Sequence, residues 1–476
     1  MKRTYNYLLA ICCLVAFTSI SYAQQKGKSP ANILIIIADD MSPTAGAYGD
    51  HTISTPGIDS LAKDGVLFKN SYCTASSCSP SRASILTGRF PHQLAEGGNL
   101  WGFLPVSYPN YTKILAEKGY RIGLEGKGWG PGNFKAAGYE NNPAGPTGKT
   151  FEQFMSEQKD GEPFCFWIGS LDPHRTYDPE LKNGVKFNEN ALKVPSWLPD
   201  NEVVRNDLKD YYAEVKRFDE TIQKAIALLK EKGLYDQTLI IVTSDNGMPF
   251  PRAKANNYEV STKIPLVIRW GKQFTNGKAT DALVSLVDLA PTILQAAEAT
   301  IPKQMTGKSL LPLLTTGKTE ERFNVVFTER ERHARVREHN IGYPVRAVRT
   351  RDFLYINNIM ADRWPAGDPE STQRNGAYGD IDPGPTKKFI VDHQNDPALK
   401  NIVFWSLAKR PAIELYDLKK DPHQLKNLAG DLKYAKIEND LKAKLDNWRK
   451  QTADPLVNNK NDIFDTYPYY GEKEKL

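Results

Sequence analysis

With 476 residues, 40% of them hydrophobic and 25% charged, the chain has the composition of an ordinary soluble globular protein, long enough for one large domain and a smaller appended one. Its formal net charge of +6 is too slight to argue for a nucleic-acid partner. No internal repeat appears along it, so repeat architectures are set aside.

In chain order, the first feature is an export signal. Lys2 and Arg3 precede the apolar run LLAICCLVAF, and Ser21 and Ala23 occupy the small-residue positions of a cleavage site. Residues 1–23 are therefore read as a signal peptide, too short for a membrane span, and the protein as exported to the periplasm or the medium. Ile11 ahead of Cys12 fits a lipoprotein site poorly. Loss of Lys2 and Arg3 leaves a mature charge of +4. Three cysteines then remain, Cys73, Cys78 and Cys165, an odd number that leaves one thiol unpaired or chemically altered. A Cys73–Cys165 disulfide is open at this point, as is burial of all three as small hydrophobes.

Apolar runs then alternate with helical patterns, which predicts an α/β domain over 24–340: a mostly parallel sheet covered by helices. Strands are predicted at NILIIIA (32–38), GYRIGLE (119–125), FCFWIGS (164–170) and TLIIVTS (238–244). Helices are predicted at YTKILAEKG, at 207–232 and at SLVDLAPTILQAAEA. The segment RERHARVREHN (330–340), with four arginines and two histidines, reads either as a solvated surface stretch or as a docking strip for an anionic polymer. From 341 the pattern changes to a small antiparallel sheet, VRAVRTRDFLYINN and AIELYDLKKDP, closed by the amphipathic helix AKIENDLKAKLDNWRKQT. Residues 341–476 are expected to form a C-terminal subdomain. Within it the Gly-, Pro- and Asp-rich stretch 362–392 is expected to be a substrate-facing loop.

In open α/β sheets ligands gather beyond the carboxyl ends of the strands. The four strands run into Asp39–Asp40, into Gly126–Lys127, into LDPHR with His174, and into Asp245–Asn246. Three carboxylates and an amide oxygen crowded at one edge call for a counter-ion, and oxygen donors of this kind suit Ca²⁺ or Mg²⁺ rather than zinc. For the Asp39–Asp40 pair alone, solvated loop carboxylates are the simpler reading; the second acid–amide pair turns the balance toward metal. Lys127, His174 and Lys254 would add positive groups suited to a sulfate or phosphate, so a transfer at sulfur or phosphorus is expected. That chemistry needs a nucleophile, and Cys78, close to a helix start signalled by Pro80, is placed to supply one.

CSPSRASILTG resembles the Cys-x-Pro-Ser-Arg-x-x-x-x-Thr-Gly signature of the formylglycine-dependent type I sulfatases, and Asp39–Asp40 and TSDNG are similar to their flanking motifs. The likeness runs from about 30 to 455. It implies an alkaline-phosphatase-like fold, Ca²⁺ (Mg²⁺ less so), and oxidation of Cys78 to 3-oxoalanine, or formylglycine, by a maturation enzyme. The hydrated aldehyde would attack sulfur with one hydroxyl and expel sulfate with the other. By the same resemblance Asp39, Asp40, Cys78, Asp245 and Asn246 would surround the cation, and Arg82 would hold the nucleophile. Lys127 and Lys254 would bind sulfate oxygens, and His174 would protonate the leaving group. One departure is GKGWG, with Trp129 where the family commonly has a histidine; His92 is a candidate substitute, and reshaping of the pocket by Trp129 is the other option. SSCSPSRAS, DPHR, TSDNGMPFPRAK, YPVRAV and ELYDLKKDPHQLKNLA are similar to the heparan N-sulfatase (sulfamidase) branch, beside bacterial enzymes acting on ulvan or carrageenan. The expected partner is a sulfated carbohydrate, attacked at its ends. Two other readings stay open, a phosphodiesterase or phosphonate hydrolase on the same fold, and a catalytically dead glycan-binding homologue.

Overall fold

The computed structural model describes residues 31–274, 278–371, 376–458 and 463–471; the expected signal peptide lies outside them. Two sheets organise the chain. The larger has the order β3-β4-β1-β5-β7-β2-β6, with β8 beside β2. Its strands are β1 (Asn32–Ala38), β2 (Val66–Tyr72), β3 (Arg121–Gly126), β4 (Phe164–Gly169), β5 (Thr238–Ser244), β6 (Lys263–Ile264), β7 (Leu266–Arg269) and β8 (Lys278–Ser285). The expected mostly parallel sheet is mixed, because β7 runs antiparallel to both β5 and β2. The block β3-β4-β1-β5, made of the four predicted strands, is wholly parallel, with Gly126 opposite Gly169 and Ala38 opposite Ser244.

Burial explains why these four are continuous apolar runs. Strands covered by helices on both sides need apolar side chains at every position. Ile33, Ile35 and Ile37 join Cys165, Trp167, Leu239 and Ile241 in one core. Leu34 and Ile36 join Phe166, Ile168, Ile240 and Val242 in the other. Each such side chain contributes roughly 2 kcal/mol by leaving water, and a charge at Ile36 would break the second core. The long helix Glu202–Glu231 covers that second core with Val204, Leu208, Tyr211, Val215, Phe218 and Ile222; the Asn201 side chain caps its start by accepting from the Val204 N–H.

The smaller sheet is antiparallel, ordered β12-β11-β10-β9, from β9 (Val325–Arg330), β10 (Val345–Thr350), β11 (Phe353–Asn358) and β12 (Ile413–Asp417). Its first strand lies upstream of position 341. The terminal helix Ala435–Gln451 packs Leu441, Leu445 and Trp448 against Val348, Tyr355 and Leu415. A tail, 463–471, then returns to the large domain. The Phe464 carbonyl accepts from Asn99 Nδ2 at 2.8 Å, the Tyr467 and Pro468 carbonyls accept from Arg332, and the Tyr470 N–H donates to the Trp101 carbonyl at 2.7 Å. Among the described residues no helix is long and apolar enough to cross a membrane.

The arginine-rich segment is not the continuous surface strip expected, since only Arg335, Glu338 and His339 in it are exposed. Arg330, Arg332, His333 and Arg337 are buried. The reason is a distant partner: Asp380 receives both Arg330 and Arg337, and each also donates to backbone carbonyls, Arg330 from Nη1 to Pro365 and Arg337 from Nε to Trp364. A buried guanidinium is tolerable when paired in this way. Cys73, Cys78 and Cys165 are all buried and free, so Cys73 and Cys165 are not joined.

Candidate active site

The parallel block delivers its loops to one edge. The Gly126–Lys127 turn packs so tightly on β4 that a Cβ at Gly169 would sit 1.7 Å from the Lys127 carbonyl oxygen. Gly126 itself is left-handed, at φ +71°. Only glycine at 169 lets the Lys127 N–H reach the Gly169 carbonyl at 2.8 Å and aim the lysine across the edge. Lys127 Nζ then meets Asp39 Oδ2 at 2.5 Å. Asp40 carries a positive φ of 72°, a conformation that costs a non-glycine residue about 1 kcal/mol. Two bonds hold it there: its N–H donates to Asp245 Oδ1 at 3.1 Å, and Asn246 Nδ2 donates to its Oδ1 at 2.6 Å.

Cys78 opens the helix Cys78–Thr87, every residue of which is buried, and left-handed Gly88 ends it. One turn on, at the spacing that puts two side chains on one helix face, Arg82 donates from Nε to Asp245 Oδ2 at 2.8 Å and from Nη1 to the Lys127 carbonyl at 2.8 Å. Ser81 Oγ adds a bond to the Asp245 carbonyl at 2.6 Å. Cys78 Sγ lies 3.5 Å from Asp39 Oδ1, and the two group with Asp245 closely enough to share one ion. Lys254 Nζ bridges Asp40 Oδ2 at 2.7 Å and Asp382 Oδ2 at 2.8 Å. His174 Nε2 stands 3.8 Å from Asp40 Oδ2, while its Nδ1 faces the Arg175 carbonyl. All nine residues expected from sequence are thus brought together.

Their titration follows from burial and neighbours. Burial alone would raise the Asp39 carboxyl, but Lys127, His174, Arg82 and Lys254 outweigh it and hold it well below its usual range. For Asp245 burial prevails over Arg82, and Asp39 adds to it, raising the carboxyl to about 6. The Cys78 thiol is pushed well up by burial, against the pull of Lys127 and Lys254. An unaltered Cys78 thiol is therefore protonated and a poor nucleophile.

These groups open into a cavity of about 700 Å³ lined by Asp39, Cys78, Lys127, His174 and Lys254 on one side. Trp101, His333, Arg335, Asp382 and Tyr469 also line its wall. The sequence reading singled out none of these five as site residues. Gly379, Asp382 and Pro383 bring the 362–392 stretch to the cavity. The Trp129 indole does not reshape it: the ring is buried in the first core while Gly130 and Pro131 line the wall. Nor does His92 substitute there, because its Nδ1 is bound to Glu329 Oε2 at 2.6 Å and its ring packs against Trp448. The histidine that does join His174 in the wall is His333, whose Nδ1 bonds Ser77 Oγ at 2.8 Å, one residue before Cys78.

The sulfatase family model matches residues 31–299, more than half of the chain. The chain belongs to the sulfatase family. This sulfatase also matches, over 253–370, the model described as N-sulphoglucosamine sulphohydrolase, C-terminal. It is 29% identical to human N-sulphoglucosamine sulphohydrolase over 505 aligned residues, covering 94% of each chain. It is 28% identical to an ulvan-active sulfatase of Formosa agariphila, over 90% of this chain and 82% of that one. Among solved structures, one bound to its substrate D-glucosamine-2-N,6-O-disulfate matches with a TM-score of 0.64 at 20% identity, covering 91% of this chain and 99% of that one, a likeness of fold. The alkaline-phosphatase-like sulfatase fold and the reaction class, sulfuric ester hydrolysis, follow from family membership.

Proposed function

We propose that this sulfatase is exported, holds Ca²⁺, and removes sulfate from a sulfated carbohydrate through formylglycine made from Cys78. The observation that carries the reading is the meeting of Cys78 with Asp39 and Asp245 beneath two lysines.

The residues fit a hard cation. The Asn246 side-chain oxygen is buried without a hydrogen-bond partner and stands beside Asp39, Asp40 and Asp245, an all-oxygen set of the kind Ca²⁺ takes. These four and the modified Cys78 would hold it, and when bound it would polarise a sulfate oxygen and favour the ionised nucleophile. Arg82, fixed by Asp245, orients the nucleophile's hydroxyl. Lys127 and Lys254 bind the sulfate oxygens and offset the charge that grows as the bond to sulfur breaks. A carbonyl oxygen only accepts, so the Arg175 carbonyl keeps a proton on His174 Nδ1; Nε2 is then the atom that delivers one to the leaving oxygen or nitrogen. Cys78 is 2% exposed, so a maturation enzyme would have to reach it before its helix packs.

A second reading, sulfamidase action on N-sulfoglucosamine, is favoured by the C-terminal model match and by the human relative. Sulfate release, followed by ion chromatography with formylglycine-loaded enzyme and Ca²⁺, separates the two. Release from N-sulfoglucosamine saccharides alone selects the sulfamidase. Release from O-sulfated ulvan or carrageenan oligosaccharides alone selects a polysaccharide sulfatase. Phosphate release from matched esters with no sulfate release would overturn both, and so would an unmodified thiol at Cys78, by mass spectrometry, after expression in a maturation-competent host.

A further inference from the structure

Three of the four arginines in 330–340 are committed to the scaffold. Arg330 and Arg337 share Asp380, and Arg332 holds the tail through the Tyr467 and Pro468 carbonyls. Arg335 differs. It is exposed and lines the cavity, and among the described residues its guanidinium has no carboxylate within ion-pair distance. Its backbone is nevertheless fixed. The preceding Ala334 N–H donates to Asp380 Oδ1 at 3.1 Å, and the Tyr469 hydroxyl sits against the Arg335 main chain.

The other cavity cations are already balanced, Lys127 by Asp39 and Lys254 by Asp40 and Asp382. Among the described residues Arg335 is thus a positive group of the wall with no carboxylate partner. Beside it are two aromatic rings, Trp101 and Tyr469, with centroids 6.3 Å apart and planes tilted by 55°. Both rings are held by the tail, through the Tyr470 bond to the Trp101 carbonyl and through Arg332, which lies over the Tyr469 ring. An aromatic pair offers faces to the C–H side of a sugar ring, and a free guanidinium matches a carboxylate or sulfate in a two-pronged bond.

We propose that Arg335, Trp101 and Tyr469 form a subsite for a second anionic group of the substrate, the carboxylate of a uronate carried next to the sulfate that leaves. This deepens the sulfatase reading and rests on it only for which sulfate is cleaved. The substrate class is a sulfated saccharide with a neighbouring uronate.

The test reads binding without turnover, using full-length Cys78→Ala protein and calorimetry. The probes are two disaccharides, N-sulfoglucosamine linked to glucuronate and a sulfated rhamnose linked to glucuronate from ulvan, each with its carboxylate intact or reduced to the alcohol. At least one intact form should bind about tenfold more tightly than its reduced form, the size of one good charge-assisted pair. That ratio should fall to about one when Arg335→Gln is added, and Arg335→Lys should restore part of it. A ratio unchanged by Arg335→Gln, equal binding of intact and reduced forms, or no binding of either intact disaccharide would overturn the subsite. Its survival with no sulfate release from converted enzyme would instead refute the reaction while leaving the subsite standing.

Discussion

Arg82 and Asp245 are joined from Nε to Oδ2 at 2.8 Å, both side chains without solvent exposure, and this one bond ties the helix that Cys78 opens to the end of β5. Asp245 faces Arg82 with one oxygen and the Asp40 N–H with the other. The same carboxylate therefore sets the position of Cys78's helix and of the acid pair after β1.

Arg82→Ala should be the most damaging of the single changes considered. Removing one partner of a buried pair leaves the other charge unmatched, at a cost of about 3–5 kcal/mol. Lysine cannot reproduce the planar fork that also reaches the Lys127 carbonyl, so Arg82→Lys should lose activity as well. Chemical denaturation and sulfate release are the two measurements; near-wild-type activity in Arg82→Lys would show that the fork is dispensable.

Ca²⁺ should raise the unfolding temperature of the wild-type protein, and a chelator should reverse the rise. At a hundredfold excess over Kd the gain is about 2.7 kcal/mol. Asp245→Asn, which keeps shape and removes charge, should lose the shift. Burial raises the Asp245 carboxyl to about 6 against the opposing pull of Arg82, so protons compete with the cation below that pH and the Ca²⁺ shift should fade on acidification. A full shift in Asp245→Asn would remove Asp245 from the ligand set.

Gly169→Ala tests the turn rather than a catalytic group. The new methyl would meet the Lys127 carbonyl at 1.7 Å, so backbone must move and Lys127 with it. Overpacking of this kind costs about 1–3 kcal/mol, and misplacing a catalytic group by about 1 Å lowers turnover roughly a hundredfold. Melting curves and kcat for sulfate release should both fall; an unchanged kcat would mean that the β3–β4 crossing does not position Lys127.

His333 predicts a pH effect on stability. Burial lowers its pKa to about 3, with Lys254 and Arg330 pushing the same way against Asp380. An unfolded chain takes up a proton near pH 6.5 that the folded one refuses, so the unfolded state binds more protons between about 6.5 and 3. Stability is therefore full above 6.5 and falls with acidification by at most about 1.4 kcal/mol per pH unit. Urea midpoints from pH 8 to 4 should slope less in His333→Gln than in wild type. Equal slopes would assign the acid sensitivity to other groups.

How much could be read from the chain depended on where each partner sits in it. Asp39, Asp40, Lys127, His174, Asp245 and Asn246 follow their strands within a few residues, so a correct strand assignment placed all six at one edge. Cys78 and Arg82 share one helix turn and came with their motif. Arg330 and Arg337 were misread because what buries them, Asp380 and the carbonyls at 364–365, lies far along the chain with no local signal, as do the tail carbonyls that hold Arg332. Trp101, Arg335, Asp382 and Tyr469 reach the cavity from loops and from the returning tail. No periodicity marks such residues, because loop positions answer to the far side of a cavity rather than to a repeating face. Trp129 was noticed as a departure, yet its burial in the first core could not be read without the path of the chain from Gly126 to Gly132.

The tail also divides the site by position along the chain. Every group that would face the reacting bond lies at or before Lys254, whereas the far wall draws on His333, Arg335, Asp382 and, last of all, Tyr469. A chain cleaved after the terminal helix would keep every group around Cys78 and lose Tyr469 from the wall. Such a form would be expected to cleave small sulfate esters while discriminating poorly among sugars.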